Sequence, residues 1–218
     1  FNEALAERFA ARHGEDAFAL LVLDLDRFKP VNDTFGHGMG DALLCRVAHR
    51  LERATRDDDL VVRLGGDEFA ILKGGGTELA EIQALAERVI DLLGRPFLID
   101  GHVLNIGASV GIALAPGDGT TPEQLMGSAD LALYGAKEDG RGRYRVFEEG
   151  MNARIQARRS LEVDLRRAIE NQPVTGAVES LKRAAARIEE GRDAEGPVRL
   201  HPEPPAQPDG RAGIRRLA

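Results

Sequence analysis

The alternation of apolar and polar residues along the chain predicts strands and amphipathic helices. The most apolar stretch covers residues 18–25 and ends in Asp24-Leu25-Asp26. An apolar run of this length is typical of a strand that is buried on both faces. We therefore expect a central strand that carries acidic side chains at its C-terminal end.

Four segments carry apolar residues at intervals of three or four positions, which predicts amphipathic helices. They are residues 2–13, 41–56, 78–93 and 122–137. Asp41 begins the second segment and has a side chain suited to a helix N-cap. Pro122 begins the fourth segment, and proline is accepted in the first turn of a helix.

Shorter apolar runs predict strands. They are residues 60–64, 69–72, 96–99, 103–114 and 143–147. Gly65-Gly66 and Asp100-Gly101 separate two pairs of these runs, and glycine-containing pairs favour tight hairpins because such turns need positive φ. Because hairpins and helices are interspersed, a purely parallel sheet is disfavoured. We expect an α+β fold in which a mainly antiparallel sheet is flanked by helices.

The pattern changes after residue 148, so we expect residues 1–148 to form the folded domain. Residues 151–169 combine apolar residues at helical spacing with many arginines, which predicts a connector helix within 149–172. Residues 173–218 contain six of the 10 prolines and no aromatic residue. Such a segment has little apolar surface to bury, and we expect it to be a disordered tail.

Composition narrows the class of partner. The formal net charge of −7 argues against binding to duplex nucleic acid, which usually requires a basic surface. A nucleotide substrate is still allowed, because a few local cations and a metal ion can neutralise its phosphates. Cys45 is the only cysteine, so an intrachain disulfide is impossible and a reducing compartment fits.

The sequence contains no apolar run near the ~20 residues that span a bilayer, and it lacks a signal-peptide pattern. We therefore expect no membrane contact within this segment and a cytoplasmic location. Because the first residue is Phe1 rather than Met, we expect the sequence to be a fragment. Any membrane tether would then lie in an upstream region.

Acidic residues follow two of the predicted strands. Asp24 ends the first strand, and Asp67 and Glu68 follow the Gly65-Gly66 turn. If the hairpin lies beside the first strand, Asp24 and Asp67 converge. Two carboxylates, a backbone carbonyl and phosphate oxygens form the hard oxygen site that Mg²⁺ prefers, and two such ions can activate a hydroxyl for attack on a phosphate. The alternative is that each acid only caps a turn.

An ordered series of motifs resembles the diguanylate cyclase family of GGDEF domains across about residues 1–148. The first part of the series is Asp24-Leu25-Asp26-Arg27-Phe28-Lys29, Asn32-Asp33, Gly36-His37, Gly40-Asp41 and Arg63-Leu64-Gly65-Gly66-Asp67-Glu68-Phe69. It continues with Ser109-Val110-Gly111-Ile112-Ala113, Ala129-Asp130, Tyr134, Ala136-Lys137 and Gly140-Arg141. The resemblance implies a palm-like fold similar to that of nucleotide cyclases and polymerases.

The resemblance also implies roles for individual residues. The metal, Mg²⁺ or alternatively Mn²⁺, would be held by Asp24, the Leu25 carbonyl, Asp67 and Glu68. Glu68 would assist as a ligand or as a base for the 3′-hydroxyl, and the catalytic residues would be Asp67, Glu68 and Lys29.

Substrate binding is implied by the same resemblance. Asn32 and Asp41 would read guanine, since an amide both donates and accepts hydrogen bonds and a carboxylate accepts them. Phe28 and Leu44 would line the base pocket, although core packing explains both almost as well. The remaining implied contacts are the nucleotide's approach to the backbone at Gly65 and Gly66 and phosphate neutralisation by Lys29, Lys137 and Arg141.

A second site precedes the hairpin. Arg56 and Asp59 match the R-x-x-D inhibitory motif of the family, and Arg88 adds a possible contact from the following helix. Arginine can bind guanine or phosphate with two hydrogen bonds, and the acid can accept from guanine. The resemblance implies that the product binds here, whereas a charge run by itself usually marks a solvated loop.

The function implied by the resemblance is condensation of two GTP into cyclic di-GMP and two pyrophosphates across a homodimer, with product inhibition. The alternative is an inactive module that binds GTP or cyclic di-GMP. It is suggested by the lack, before Asn2, of the Leu-Thr-Gly-Leu stretch usual in the family. Residues 151–169, and 161–169 in particular, resemble the connector that opens an EAL phosphodiesterase domain. No Glu-Ala-Leu segment follows, so the sequence has no residues for phosphodiesterase activity.

Overall fold

A computed structural model describes residues 1–11, 17–74 and 78–171. The described residues fall into two units, one that ends at residue 158 and one that begins at residue 159. The predicted tail at 173–218 lies outside the described residues.

The helices and strands follow one another in a mixed order. The helices are α1 (Asn2–Ala10), α2 (Phe28–Phe35), α3 (His37–Ala54), α4 (Leu79–Gly94), α5 (Pro122–Glu138) and α6 (Met151–Asn171). The strands are β1 (Phe18–Asp26), β2 (Leu60–Gly65), β3 (Glu68–Lys73), β4 (Phe97–Ile99), β5 (His102–Leu104), β6 (Gly107–Ala115) and β7 (Tyr144–Val146). Among the residues described, no helix is both long enough and apolar enough to cross a bilayer.

The main sheet has five strands in the order β2-β3-β1-β6-β7. Strand β1 is antiparallel to both β3 and β6, and only β7 runs parallel to its neighbour β6. Strands β4 and β5 form a separate two-stranded hairpin. The α+β fold with a mainly antiparallel sheet is thereby confirmed.

Strand β1 divides the core into two clusters. Leu21, Leu23 and Leu25 belong to the cluster that includes residues of α2, α3 and α4. Leu20 and Val22 belong to the other cluster, which includes residues of α1 and α5. Because alternate side chains of a strand point to opposite faces, this division explains the unbroken apolar run of β1. It also places Asp24 on the same face as α5.

The secondary structure differs from the sequence analysis at three places. Helix α2 was not predicted, although Phe28, Val31 and Phe35 have helical spacing and Pro30 lies in its first turn, where proline is tolerated. Asp41 is not an N-cap, because α3 begins at His37. The expected strand at 103–114 is two strands in different sheets, β5 and β6.

Candidate active site

The acidic residues meet at the end of β1. In the β1–β3 register, Asp24 lies opposite Glu68, and on the other side it lies opposite Ser109. Cross-strand partners project from the same face of a sheet with their Cβ atoms about 4.5–5.5 Å apart, and two like charges in this position repel each other. The face that they share is the one covered by α5.

Helix α5 supplies the neutralising charge. The Nζ of Lys137 lies 2.6 Å from Asp24 Oδ2, and the two side chains are only 28% and 17% exposed. Asp130 lies two turns before Lys137 on the same helix. Burial raises the pKa of Asp130, the charge of Glu68 raises it further, and Lys137 opposes the rise. Asp24, Glu68, Asp130 and Lys137 therefore form one electrostatic cluster, to which we refer as the acidic cluster.

The hairpin turn holds Asp67 next to β1. The main-chain N–H of Leu25 donates to the carbonyl of Asp67 at 3.2 Å, which extends the β1–β3 ladder into the turn. Gly66 has φ 52°, a conformation that glycine adopts at little cost. Arg63 donates to the Gly66 carbonyl from Nε at 3.0 Å and from Nη2 at 2.8 Å. Arg63 thus braces the turn, a role that its place in the motif alone did not indicate.

Asp26, the second acid of β1, has a different environment. It is 4% exposed and accepts hydrogen bonds from Ser109 Oγ at 3.0 Å and from the main-chain N–H of Gly142 at 3.1 Å. Arg141 Nε lies 3.7 Å from Asp26 Oδ1. Asp26 therefore holds the loop after α5 against the sheet, and that loop carries Arg141.

Four of the expected base-pocket positions lie where α2 packs on α3. Phe28 and Leu44 are 7% and 5% exposed and belong to the same core cluster. A Cβ built on Gly40 would lie 1.9 Å from Asn32 Oδ1 and 3.2 Å from Phe28 Cζ, so both side chains lie directly against this glycine. Asp41 is the next residue and is exposed.

Asn32 has an unusual environment. Its Oδ1 is buried and has no hydrogen-bond partner among the described residues. A buried acceptor without a partner costs about 1–3 kcal/mol. A ligand with N–H donors can remove this cost by donating a hydrogen bond to Asn32 Oδ1, and guanine has such donors.

The residues at this end of the sheet suit a divalent cation. Asp24 already binds a cationic group, the ammonium of Lys137, through Oδ2. Asp67 is tied to the adjoining residue Leu25 through the main chain. In the described part of the chain, no three acidic, histidine or cysteine side chains could hold a metal by themselves. The groups at this end of the sheet that could contribute oxygen ligands are the side chains of Asp24, Asp67 and Glu68 and the carbonyl of Leu25.

Lys29 and Arg141, the two expected phosphate contacts outside the acidic cluster, follow the two elements that carry Asp24 and Lys137. Lys29 is exposed in the first turn of α2, directly after β1. Arg141 is 63% exposed and lies beyond the C-terminal end of α5, where its backbone has φ 64°.

The R-x-x-D motif lies in the loop between α3 and β2. Both carboxylate oxygens of Asp59 accept from main-chain N–H groups, Oδ2 from Arg56 at 3.0 Å and Oδ1 from Gly74 at 3.3 Å. Arg56 Nη1 lies 3.8 Å from Glu81 Oε2. Arg88 donates to the carbonyl of Ala54 at 3.1 and 2.8 Å, so α4 reaches the start of this loop.

Comparison with known proteins places these features in a family. The family model described as "Diguanylate cyclase, GGDEF domain" matches residues 1–143. The bifunctional diguanylate cyclase/cyclic di-GMP phosphodiesterase MucR of Pseudomonas aeruginosa is 47% identical over 155 residues, which are 71% of this chain and 22% of MucR. The chain therefore spans about a fifth of the length of this relative.

Solved structures give the same result. The GGDEF domain of TpbB from Pseudomonas aeruginosa matches with a TM-score of 0.65 at 37% identity, over 68% of this chain and 93% of that domain. The GGDEF domain of DgcB from Caulobacter crescentus, solved in complex with cyclic di-GMP, matches with a TM-score of 0.60 at 30% identity, over 67% and 87% of the two chains. The palm-like fold is thereby confirmed.

Proposed function

Because the chain belongs to the diguanylate cyclase family of GGDEF domains, we propose that it condenses two GTP into cyclic di-GMP with release of two pyrophosphates. The observation that carries this proposal is the arrangement at the end of β1. Asp24 lies opposite Glu68, Asp67 is bonded to Leu25, and the Lys137 ammonium lies on Asp24. Carboxylates and cations are thus concentrated where a triphosphate and its metal would be bound.

Asp24, Asp67, Glu68 and the Leu25 carbonyl would hold Mg²⁺ or Mn²⁺, since carboxylate and carbonyl oxygens are the ligands that these ions prefer. When bound, the metal would polarise the α-phosphate and lower the pKa of the attacking 3′-hydroxyl. Glu68 is the first residue of β3, directly after the turn, and its carboxylate would accept the proton of that hydroxyl. Lys29, Lys137 and Arg141 would neutralise the phosphates of the leaving pyrophosphate.

Guanine would be bound between α2 and α3. The unpartnered Asn32 Oδ1 and the Asp41 carboxylate are acceptors, and guanine presents N1–H and an exocyclic amine as donors. Phe28 and Leu44, which belong to the same core cluster, would form an apolar part of the base pocket. A site built on such hydrogen bonds discriminates strongly against a base that lacks them.

Two chains are required for turnover, because each holds one GTP and each 3′-hydroxyl attacks the α-phosphate on the other chain. Alignment of the two nucleotides across the dimer would supply much of the rate enhancement. The specific activity should therefore rise with protein concentration until the dimer is saturated. A specific activity that is constant down to concentrations at which the protein is monomeric would contradict this step.

The deciding assay is incubation of the purified chain with GTP and Mg²⁺, followed by chromatographic separation of the products. Formation of cyclic di-GMP supports the proposal. Binding of GTP or cyclic di-GMP without turnover would instead support the alternative, an inactive regulatory module. Absence of both binding and turnover would exclude both functions for this segment.

Gly40→Ala is expected to weaken GTP binding. The new methyl group would lie 1.9 Å from Asn32 Oδ1, so the Asn32 side chain must leave its position against α3. We expect KM for GTP to rise by about tenfold, the equivalent of one lost hydrogen bond of ~1.4 kcal/mol. Steady-state kinetics with GTP and with ITP, which lacks the exocyclic amine, would measure the loss of discrimination.

Gly38→Ala is the matched control for this substitution. Gly38 lies in the same helical turn, and a Cβ built on it has no atom within 4 Å. Its KM for GTP should equal that of the unsubstituted chain. Equal kinetics for Gly40→Ala and Gly38→Ala would remove Asn32 from the base pocket.

We also propose that the product binds at Arg56, Asp59 and Arg88 and inhibits the enzyme. Helix α4, which carries Arg88, is connected to the motif loop through the Ala54 carbonyl, so the three residues adjoin one loop. Arg56 is 69% exposed, and its ion pair with Glu81 is a surface interaction that a ligand can replace at little cost.

Arg56→Ala is expected to relieve product inhibition with little effect on the fold. Loss of a charge-assisted bidentate contact should raise the cyclic di-GMP concentration for half inhibition at least roughly tenfold. Inhibition curves for Arg56→Ala and for the exposed neighbour Arg53→Ala would test this. Asp59 is a poorer choice, because its carboxylate also binds the main chain at Arg56 and Gly74. Identical curves for the two arginine variants would refute the inhibitory site.

The domain organisation that we propose has three parts: residues 1–148 as the cyclase domain, 149–172 as a connector that is helical in α6, and 173–218 as a tail. We further propose that this domain acts in the cytoplasm, where GTP is available.

A further inference from the structure

The contact that Lys137 makes in the structure differs from the contact that the proposed function gives it. Its Nζ lies 2.6 Å from Asp24 Oδ2, and both side chains are largely shielded from water. In the proposed function, however, Asp24 binds the metal and Lys137 binds phosphate. A metal ligated at ~2.0–2.1 Å by the same oxygen would lie within a few ångströms of the ammonium, and two cations so close repel each other strongly.

The surroundings explain why Lys137 binds Asp24. Asp24 and Glu68 are opposite each other in the β1–β3 register, and Asp130 lies two turns before Lys137 on α5, where the charge of Glu68 raises its pKa and that of Lys137 lowers it. The Lys137 ammonium is in contact with Asp24, and Glu68 and Asp130 add negative charge on the same face of the sheet. Lys137 reduces the repulsion between these carboxylates, and loss of Lys137 from Asp24 is unfavourable unless another cation takes its place.

Resting on the proposed function, we infer that Lys137 and the divalent metal compete for Asp24, and that the nucleotide triphosphate decides the competition by drawing Lys137 away. Lysine suits this exchange because its ammonium is a point charge on a flexible four-carbon chain. Its position in the last turn of α5, next to the loop of Arg141, places it between the acids and another residue expected to bind phosphate. The metal alone then binds weakly, and metal and triphosphate each increase the affinity for the other.

The test is the affinity of the nucleotide-free protein for Mn²⁺, measured from free Mn²⁺ by electron paramagnetic resonance. Lys137→Met should bind Mn²⁺ roughly tenfold more tightly than the unsubstituted chain, within the usual range of coupling between two ligands. Lys29→Met is the matched control, because it removes the same charge from an exposed site that is not paired with Asp24. Its Mn²⁺ affinity should change by less than about twofold, since solvent and salt screen exposed charges.

A second measurement adds a non-reactive GTP analogue. In the unsubstituted chain the analogue should increase Mn²⁺ affinity. In Lys137→Met this increase should be smaller, by about the same factor by which the substitution raises Mn²⁺ affinity in the absence of nucleotide. Lys137→Arg keeps a cation that can pair with Asp24 and should keep the weak binding of Mn²⁺ alone. The thermal midpoint of Lys137→Met with and without Mn²⁺ provides an independent readout, since a ligand that binds the folded state raises it.

The outcomes distinguish failure of the competition between Lys137 and the metal from failure of the proposed cyclase function. If Asp24→Asn leaves Mn²⁺ binding unchanged, Asp24 is not a metal ligand and both proposals fail. If Asp24→Asn abolishes binding but Lys137→Met and Lys29→Met have equal Mn²⁺ affinity, the metal site stands and the competition is refuted. An enhancement by the analogue that is the same with and without Lys137 would also refute it.

Discussion

Asp67→Asn is expected to reduce the rate of cyclic di-GMP formation by about a thousandfold. The substitution keeps the size of the side chain but removes a negative charge from the proposed metal site. Loss of several kcal/mol of stabilisation of the transition state, for example ~4 kcal/mol, corresponds to a rate change of this size. Product formation under saturating GTP and Mg²⁺ measures it.

The fold of this variant should be unchanged, because the contact that Asp67 makes with β1 uses its main-chain carbonyl. Asp91→Asn is the matched control, since Asp91 is 65% exposed on α4 and pairs only with Arg95 among the interactions described. It should retain full activity. Activity of Asp67→Asn within a few fold of that of Asp91→Asn would exclude Asp67 from the chemistry.

Gly111→Ala is expected to have the largest effect on stability. A Cβ at this position would lie 2.1 Å from the Ala129 carbonyl oxygen and 2.3 Å from the Leu133 nitrogen, both main-chain atoms of α5. Helix α5 must then move away from β6, and Ala129 and Leu133 would lose core contacts. We expect a loss of at least ~3 kcal/mol in the free energy of unfolding, at the upper end of the cost of overpacking a core. Chemical denaturation would measure this loss.

Gly127→Ala, on α5, is expected to raise stability rather than lower it. A Cβ at Gly127 has no atom within 4 Å, and alanine has the higher helix propensity. This variant should be more stable by roughly 0.5–1 kcal/mol. If Gly111→Ala is as stable as Gly127→Ala, the close approach of α5 to β6 is incorrect. Because Lys137 and Asp130 belong to α5, that outcome would also undermine the acidic cluster.

The sequence predicted the central features of the fold because their signals are local. The apolar run of β1 and the Gly65-Gly66 turn each identify an element without reference to the rest of the chain. Helix α2 was missed because its segment has only eight residues and contains Pro30. The N-cap predicted at Asp41 was wrong because α3 begins earlier, at His37, after a residue with positive φ, Gly36.

Several features of the candidate site depend on tertiary structure and leave no clear pattern in the sequence. Asp24 and Asp26 look equivalent in the chain, yet one faces Lys137 and the other is bonded to Ser109 and Gly142. The bonds of Arg63 to the turn and the proximity of Asp130 to Glu68 likewise require the register of the hairpin and the packing of α5. The resemblance to the family predicted which residues belong to the site, whereas their hydrogen bonds and ion pairs are seen only in the structure.

The two faces of β1 have a consequence for how the site can change. Phe28 and Leu44, which are expected to line the base pocket, pack on one face of the sheet, whereas Asp24 projects from the other. The two faces of β1 belong to different core clusters, so the effects of substitutions on opposite faces on the free energy of unfolding should be nearly additive. Under the proposed function, substitutions on one face would alter the preferred nucleobase while the phosphate chemistry on the other face is preserved. Nucleobase specificity and catalytic rate would then be able to evolve separately, because β1 divides the residues proposed for each.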